Sequence, residues 1–181
     1  MRIVSGIFKN RTLLTPKGLD TRPTSERMRA TLFNICQNYI ENARFLDLFA
    51  GSGAIGLEAL SRGASHATFV DMSKESCLCI KKNIASLNAQ QQTTVLHGDV
   101  LAQLKRLPHQ YDIIFVDPPY ELNLGTQVLA FVDQNPILTP TGTLFIEESA
   151  YTPPEVALTT LELVSSRSTG RTLLQQYRKR T

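Results

Sequence analysis

Cysteine is scarce in this chain, limited to Cys36, Cys77 and Cys79. The number is odd, two of the three lie two positions apart, and no second pair answers them. Neither a disulfide framework nor a zinc site is therefore expected, and thiols so arranged suit a reduced, cytoplasmic compartment. Histidine is as scarce, and His66, His97 and His109 are scattered without ligand spacing, so no metal is expected. No apolar run approaches the ~18 residues of a membrane-spanning helix. The segment Met1-Arg-Ile-Val-Ser-Gly-Ile-Phe8 has neither the apolar stretch nor the small-residue cleavage site of a secretory signal. Charged residues make up 19% of the chain and no tract is dominated by one residue type, which excludes a disordered polyelectrolyte. No Gly-x-Ser-x-Gly elbow is present, which argues against a hydrolase.

What the chain does have is length enough for one core. At 181 residues and 42% hydrophobic content, it reads as a single domain that buries roughly 70% of its unfolded surface, and a monomer is expected. The net charge of +3 hides an uneven distribution. Residues 1–29 carry +5, residues 30–166 carry −7 and residues 167–181 carry +5. A polyanion would be drawn to the two ends of the sequence. Lys9, Arg11, Lys17, Arg27 and Arg171 are the candidate nucleic-acid-binding residues; solvated basic termini are the plainer reading.

Residues 1–20 suggest a short hairpin or basic arm. Thr24 or Ser25 can then cap a helix whose apolar positions are Met28, Leu32, Ile35 and Tyr39, ending near Asn42. From residue 43 onward, short apolar runs alternate with helical patterns. Strands are expected at 45–49, 67–70, 94–96, 111–116 and 143–146, with helices at 54–61, 74–87, around 101–107 and at 126–133. This alternation predicts an α/β fold, a Rossmann-like, doubly wound, mostly parallel sheet. Leu161–Val164 and Thr172–Tyr177 flank a turn containing Gly170, so the last strand is expected to run antiparallel.

The strand exits carry acids or glycines: Asp47 with Gly51-Ser-Gly53, then Asp71, Asp99 and Asp117. Ligands of such sheets bind beyond the carboxyl ends of the strands, so this row marks a crevice. Glu147-Glu148 ends the fifth strand beside it. Gly51-Ser-Gly-Ala-Ile-Gly56 matches the dinucleotide fingerprint, and Asp71 lies 20 positions after Gly51. A nicotinamide cofactor and an adenosine-bearing cofactor of another kind both satisfy that spacing. The carboxylate of Asp47 disfavours a pyrophosphate on the helix N-terminus and favours a ligand with an ammonium group.

Asp47-Leu-Phe-Ala-Gly-Ser-Gly53 followed by Asp117-Pro-Pro-Tyr120 resembles the S-adenosylmethionine-dependent methyltransferases that act on exocyclic nitrogens. Arg2-Ile-Val-Ser-Gly6, Arg22-Pro-Thr-Ser-Glu-Arg27, Leu32-Phe-Asn34 and Gly170-Arg171 extend the likeness to the RsmD-type enzymes. These methylate N2 of one guanine in bacterial 16S rRNA, within the small ribosomal subunit or an assembly intermediate. The resemblance implies a class I methyltransferase fold, with the helix of residues 21–42 over the cofactor cleft. It implies roles for the cleft residues as well. Gly51 and Gly53 would approach the methionine part of S-adenosylmethionine, Asp47 its ammonium, Asp71 the ribose hydroxyls, Met72 the adenine face and Asp99 the adenine amino group. Arg22 and Thr24 would contact the cofactor's carboxylate. Asp-Met-Ser-Lys at 71–74 departs from the commoner family pattern, which begins with Glu.

An arylamine is a poor nucleophile because its lone pair is delocalised. Two acceptors on the amino hydrogens redirect that pair, and Asp117 with the Pro118 carbonyl would provide them. Proline at 118 and 119 fixes the backbone that presents the carbonyl, and Tyr120 offers a stacking face. No large domain for reading duplex DNA is in evidence, so a structured RNA with an unstacked base is the expected substrate. The alternatives are an N6-adenine or other amino methyltransferase, an NAD(P)-dependent oxidoreductase, and a non-catalytic RNA-binding module on the same fold.

Overall fold

The computed structural model describes residues 1–16, 26–107, 110–119, 123–149, 156–170 and 172–180. Its strands are β1 (Arg44–Leu48), β2 (His66–Asp71), β3 (Thr93–His97), β4 (Tyr111–Val116), β5 (Leu138–Ser149), β6 (Leu161–Thr169) and β7 (Thr172–Lys179). The helices are α1 (Glu26–Cys36), α2 (Ala54–Ser61), α3 (Lys74–Leu87), α4 (Val100–Leu104) and α5 (Leu124–Gln134). One sheet runs in the order β3-β2-β1-β4-β5-β7-β6. The first five strands are parallel, and β7 runs antiparallel to both of its neighbours. The winding reverses between β1 and β4, which is where such sheets open a crevice.

Alternate residues of the central strands feed two cores. Phe45, Phe69, Ile113, Phe115 and Phe145 lie on one face with α1 and α2. Leu46, Leu48, Val70, Ile114, Val116 and Ile146 lie on the other with α4 and α5. Both faces are covered, so the strands read as continuous apolar runs rather than as an alternation.

All eight residues of α2 are buried. A helix this apolar needs cover on its outer side, and the N-terminal hairpin supplies it. Arg2 bridges Thr12, while Ile3 and Leu13 enter the core. Val4 N–H and Ser5 N–H donate to the fully buried Glu58 carboxylate at 2.8 and 3.0 Å. Ile7 N–H donates to Ser61 O at 2.8 Å and Phe8 N–H to Ser61 Oγ at 2.9 Å. Gly6, at φ 82°, turns the chain so close to α2 that a Cβ there would overlap the Ser61 carbonyl. The segment is thus a hairpin lashed to the body, not a free arm.

Two boundaries differ from the sequence expectation. The first helix ends at Cys36, not near Asn42. Tyr39 N–H bonds Cys36 O at 2.9 Å in a closing turn, so the buried stripe is Met28, Leu32, Phe33 and Cys36. The fifth strand starts at Leu138, which pairs with Tyr111 before an irregularity in the ladder. At the far side, Asp133 of α5 accepts from the N–H groups of Thr159, Thr160 and Leu161 at 2.9, 2.8 and 2.7 Å, fixing where β6 begins.

Glu58 also takes Arg62 Nε at 2.8 Å. Glu58→Ala leaves two backbone donors and a guanidinium short of their acceptor, so the loss of stability should be about 3 kcal/mol or more. Glu58→Gln, which keeps one acceptor oxygen, should lose less. Urea unfolding of both variants measures the difference.

Candidate active site

Leu48 is in register with Val70 on one side and Val116 on the other, and Val116 with Ile146. The next residue of each strand is therefore Asp71, Phe49, Asp117 or Glu147. Asp71, Asp117 and Glu147 continue the face that carries Phe69, Phe115 and Phe145. Asp47 lies one layer deeper on that face, in register with Phe69 and Phe115. The sheet thus gathers four carboxylates at the switch point.

Asp47 is 2% exposed, and its Oδ2 accepts the Gly56 N–H of the first turn of α2 at 2.9 Å. Burial pushes its carboxyl well above the usual range; the Gly56 hydrogen bond opposes this, while Asp117 and Asp71 reinforce it. It therefore works first as a support for the helix beneath the glycine loop.

That loop leaves β1 through Phe49, a non-glycine residue at φ 61°, a conformation held by its surroundings. Ala50 N–H bonds Val70 O at 3.1 Å, and Gly53 N–H bonds Ala50 O at 2.7 Å. Gly51 and Gly53 both adopt positive φ, 56° and 77°. A Cβ on Gly51 would meet nothing within 4 Å, so its backbone borders open space, whereas one on Gly53 would crowd Ile80 and Phe69. Gly51 N–H donates to Asp71 Oδ2 and Ser73 N–H to Asp71 Oδ1, each at 2.8 Å. Asp71 thus ties the end of β2 to the loop. Each of its oxygens keeps a lone pair for a further donor.

Beyond Asp71 the floor is open. Met72 is 71% exposed, and its carbonyl is held by His97 Nε2 at 3.0 Å. Asp99 is exposed and caps α4 through Oδ1, which accepts Ala102 N–H at 2.8 Å. On the β4 side, Asp117 is half-buried and Pro118 buried. Tyr120, Arg22 and Thr24 lie outside the described residues, as do Lys17 and Arg171.

The sequence reading put Asp47, Gly51, Gly53, Asp71, Met72, Asp99, Asp117 and Pro118 along one edge, and the structure brings them there together. Sequence alone did not point to Asn83. Its Nδ2 donates to Ser52 O at 2.9 Å and to Leu14 O at 3.0 Å, and its Oδ1 accepts Leu14 N–H at 2.8 Å. This side chain couples the glycine loop to the N-terminal hairpin. A polar residue on the inner side of α3 is the one hint that the sequence offered. At the opposite edge of the sheet, a cavity of about 410 Å³ is lined by residues that include Arg44, His66, Thr68, Thr94 and Tyr111. His66 pairs there with Thr94 and Tyr111 with Thr68, Arg44 Nε has no hydrogen-bond partner, and the lining holds none of the acids.

The family model described as conserved hypothetical protein 95 matches residues 1–178. Ribosomal RNA small subunit methyltransferase D of Haemophilus influenzae is 36% identical over 151 residues, which covers 81% of this chain and 78% of that protein. The chain belongs to the RsmD family. The Bacillus subtilis protein YlbH is 32% identical over 99% of this chain and 100% of its own. The solved structure of Escherichia coli yhhF superimposes with a TM-score of 0.87 at 32% identity, covering 100% of this chain and 98% of that one. The RsmD family is one of methyltransferases.

Asp71→Ala removes the acceptor of two loop N–H groups along with any contact to a bound ribose. It should weaken S-adenosylhomocysteine binding by about 1.5–3 kcal/mol while the chain stays folded. Titration calorimetry alongside circular dichroism measures both; unchanged affinity would remove Asp71 from the cofactor site.

Proposed function

We propose that this protein transfers a methyl group from S-adenosylmethionine to the exocyclic N2 of a guanine in 16S rRNA. The observation that carries the reading is the meeting of the Asp71-braced glycine loop with Asp117-Pro118 at the switch point of an RsmD-family fold. The residues present fit the cofactor. Gly51 borders open space, Asp71 keeps acceptor capacity for two hydroxyls, and Met72 presents an exposed apolar face. Asp99 keeps an oxygen free of the α4 cap for an amino group. Burial pushes the Asp47 carboxyl up, and a cofactor ammonium above it would draw it back toward its ionised form without having to touch it. Arg22 and Thr24 complete the set on sequence grounds. When bound, the cofactor supplies an electrophilic methyl group.

The chain's own residues then position the nucleophile. Asp117 and the Pro118 carbonyl accept the two amino hydrogens and turn the nitrogen lone pair out of conjugation. Asp117 takes one proton from the strongly acidic methylated ammonium. Tyr120 stacks on the base. Orientation of the two reactants supplies most of the acceleration.

A basic surface steers the RNA. Lys9 and Arg27 are exposed. Arg11 already donates from Nη2 to Ser86 O at 2.6 Å, so its charge is presented from a fixed place on α3. An assembled or assembling small subunit, a monomeric enzyme and a cytoplasmic setting go with this reading.

Asp117→Ala should lower methyl transfer by about 10²-fold or more with cofactor affinity nearly unchanged, because the lost interaction matters most in the transition state. Asp117→Asn should fall between the two. The direct measurement is nucleoside mass spectrometry of 16S rRNA after reaction; methyl on adenine N6 would point to the adenine alternative. If Lys9 and Arg27 reach phosphates, exchanging both for Gln should flatten the log–log salt dependence of RNA binding. The slope should fall by ~0.7–0.9 per lost contact, whereas Lys81→Gln and Lys82→Gln on α3 should change it much less.

A further inference from the structure

One buried polar group at the cleft has no task in this scheme. Glu147 is 5% exposed, yet its Oε2 has no hydrogen-bond partner. It lies in β5 beside Asp117, since Ile146 and Val116 are paired immediately before them, and it continues the same face above Phe145. Across the β5–β7 ladder it meets Leu174, with Gln176 opposite Phe145. Among the described residues nothing donates to Glu147 Oε2, so an ionised carboxylate there would face a second carboxylate unrelieved.

We propose that Glu147 is a positioning residue for methyl transfer: as a neutral acid it keeps its proton and donates a hydrogen bond from its carboxyl O–H to Asp117. The pair then holds one proton and one negative charge, and that charge stays on Asp117, which accepts one of the amino hydrogens. This rests on the methyltransferase reading of the site. The proton count closes. Before reaction the pair carries one proton, on Glu147. The N–H proton released by the methylated base goes to Asp117, so the pair becomes neutral, and one proton returns to solvent as the product leaves.

The surroundings favour the neutral form. Burial pushes the Glu147 carboxyl up to about 8, with the charge of Asp117 adding to the shift. Glu148, on the opposite face, is pushed up to about 7, first by burial and then by Asp117. It abuts Gly125 of α5, where a Cβ would overlap its Oε1. Tyr177 of β7 senses Glu148, and Asp47 of β1 senses Asp117. Among the described residues, the charged group that acts on Glu147 itself is Asp117. The sign follows directly. The neutral acid is the working form, so activity should hold below about 8 and fall as pH rises through it.

Three variants and two readouts test this. Glu147→Gln keeps a donor toward Asp117 and cannot ionise. It should keep kcat within about threefold of the parent and lose the alkaline fall of the parent's pH profile. Glu147→Ala should lower kcat by about 10- to 100-fold, the scale of one hydrogen bond to a charged group, with KM for RNA little changed. Glu148→Gln should leave the alkaline limb in place. Independently of turnover, infrared difference spectra of parent and Glu147→Gln at pH 7 should show a protonated carboxyl band in the parent that fades as pH rises through about 8. A Gln variant as defective as Ala, an alkaline limb that persists in Gln, or no such band overturns the proposal. A parent that transfers no methyl at all defeats the functional reading instead, and the infrared band then decides where the proton lies.

Discussion

Four parallel strands that reach the switch point in register bring carboxylates together, and much of the site follows from relieving that crowding. Register leaves Asp71, Asp117 and Glu147 on the same face of the same edge, with Asp47 one layer below between Phe69 and Phe115. Like charges at such spacing are unfavourable in a medium that screens poorly. Backbone N–H groups relieve it at two places, Gly56 for Asp47 and Gly51 with Ser73 for Asp71. On the β5 side no backbone donor reaches Glu147 Oε2. The glycine loop therefore has two duties, to border the ligand space and to neutralise the edge that holds it.

The same residues join the site to the body of the fold. Asp71 braces the loop from β2, while Asn83 braces it from α3 and reaches Leu14 in the hairpin. Glu58, on the helix that the loop opens, holds the other end of that hairpin. The segment whose basic residues would meet RNA is thus bonded to the helices that flank the glycine loop. A disturbance on one side has a short, hydrogen-bonded route to the other.

Sequence reading reached the elements with self-contained signals. Helix α3 carries a Ser73 cap at its start and a left-handed Asn88 at its end, so both boundaries follow from local chemistry. The strand-end acids were visible because each apolar run stops on one. Less was visible where the deciding partner is far along the chain. The apolar run predicts a strand over 143–146, yet the strand begins at Leu138 because Tyr111 is there to pair with it. The depth of Asp47 depends on its neighbours Phe69 and Phe115, which lie 22 and 68 positions away. The isolation of Glu147 likewise depends on what surrounds it in three dimensions. Pattern identifies the acids, but burial and register determine which of them can stay charged.

The place of β7 bears on how the chain assembles during synthesis. It pairs with both β5 and β6, although it follows both in sequence. Until its residues leave the ribosome, β5 has a bare edge next to the acid row, and β6 has no partner in the sheet. Exposed strand edges of this kind invite pairing with other chains. The parallel half can collapse early around Phe45 and Leu46, but the wall that carries Glu147 waits for the final hairpin. The acid-lined edge is therefore among the last parts of the molecule to set.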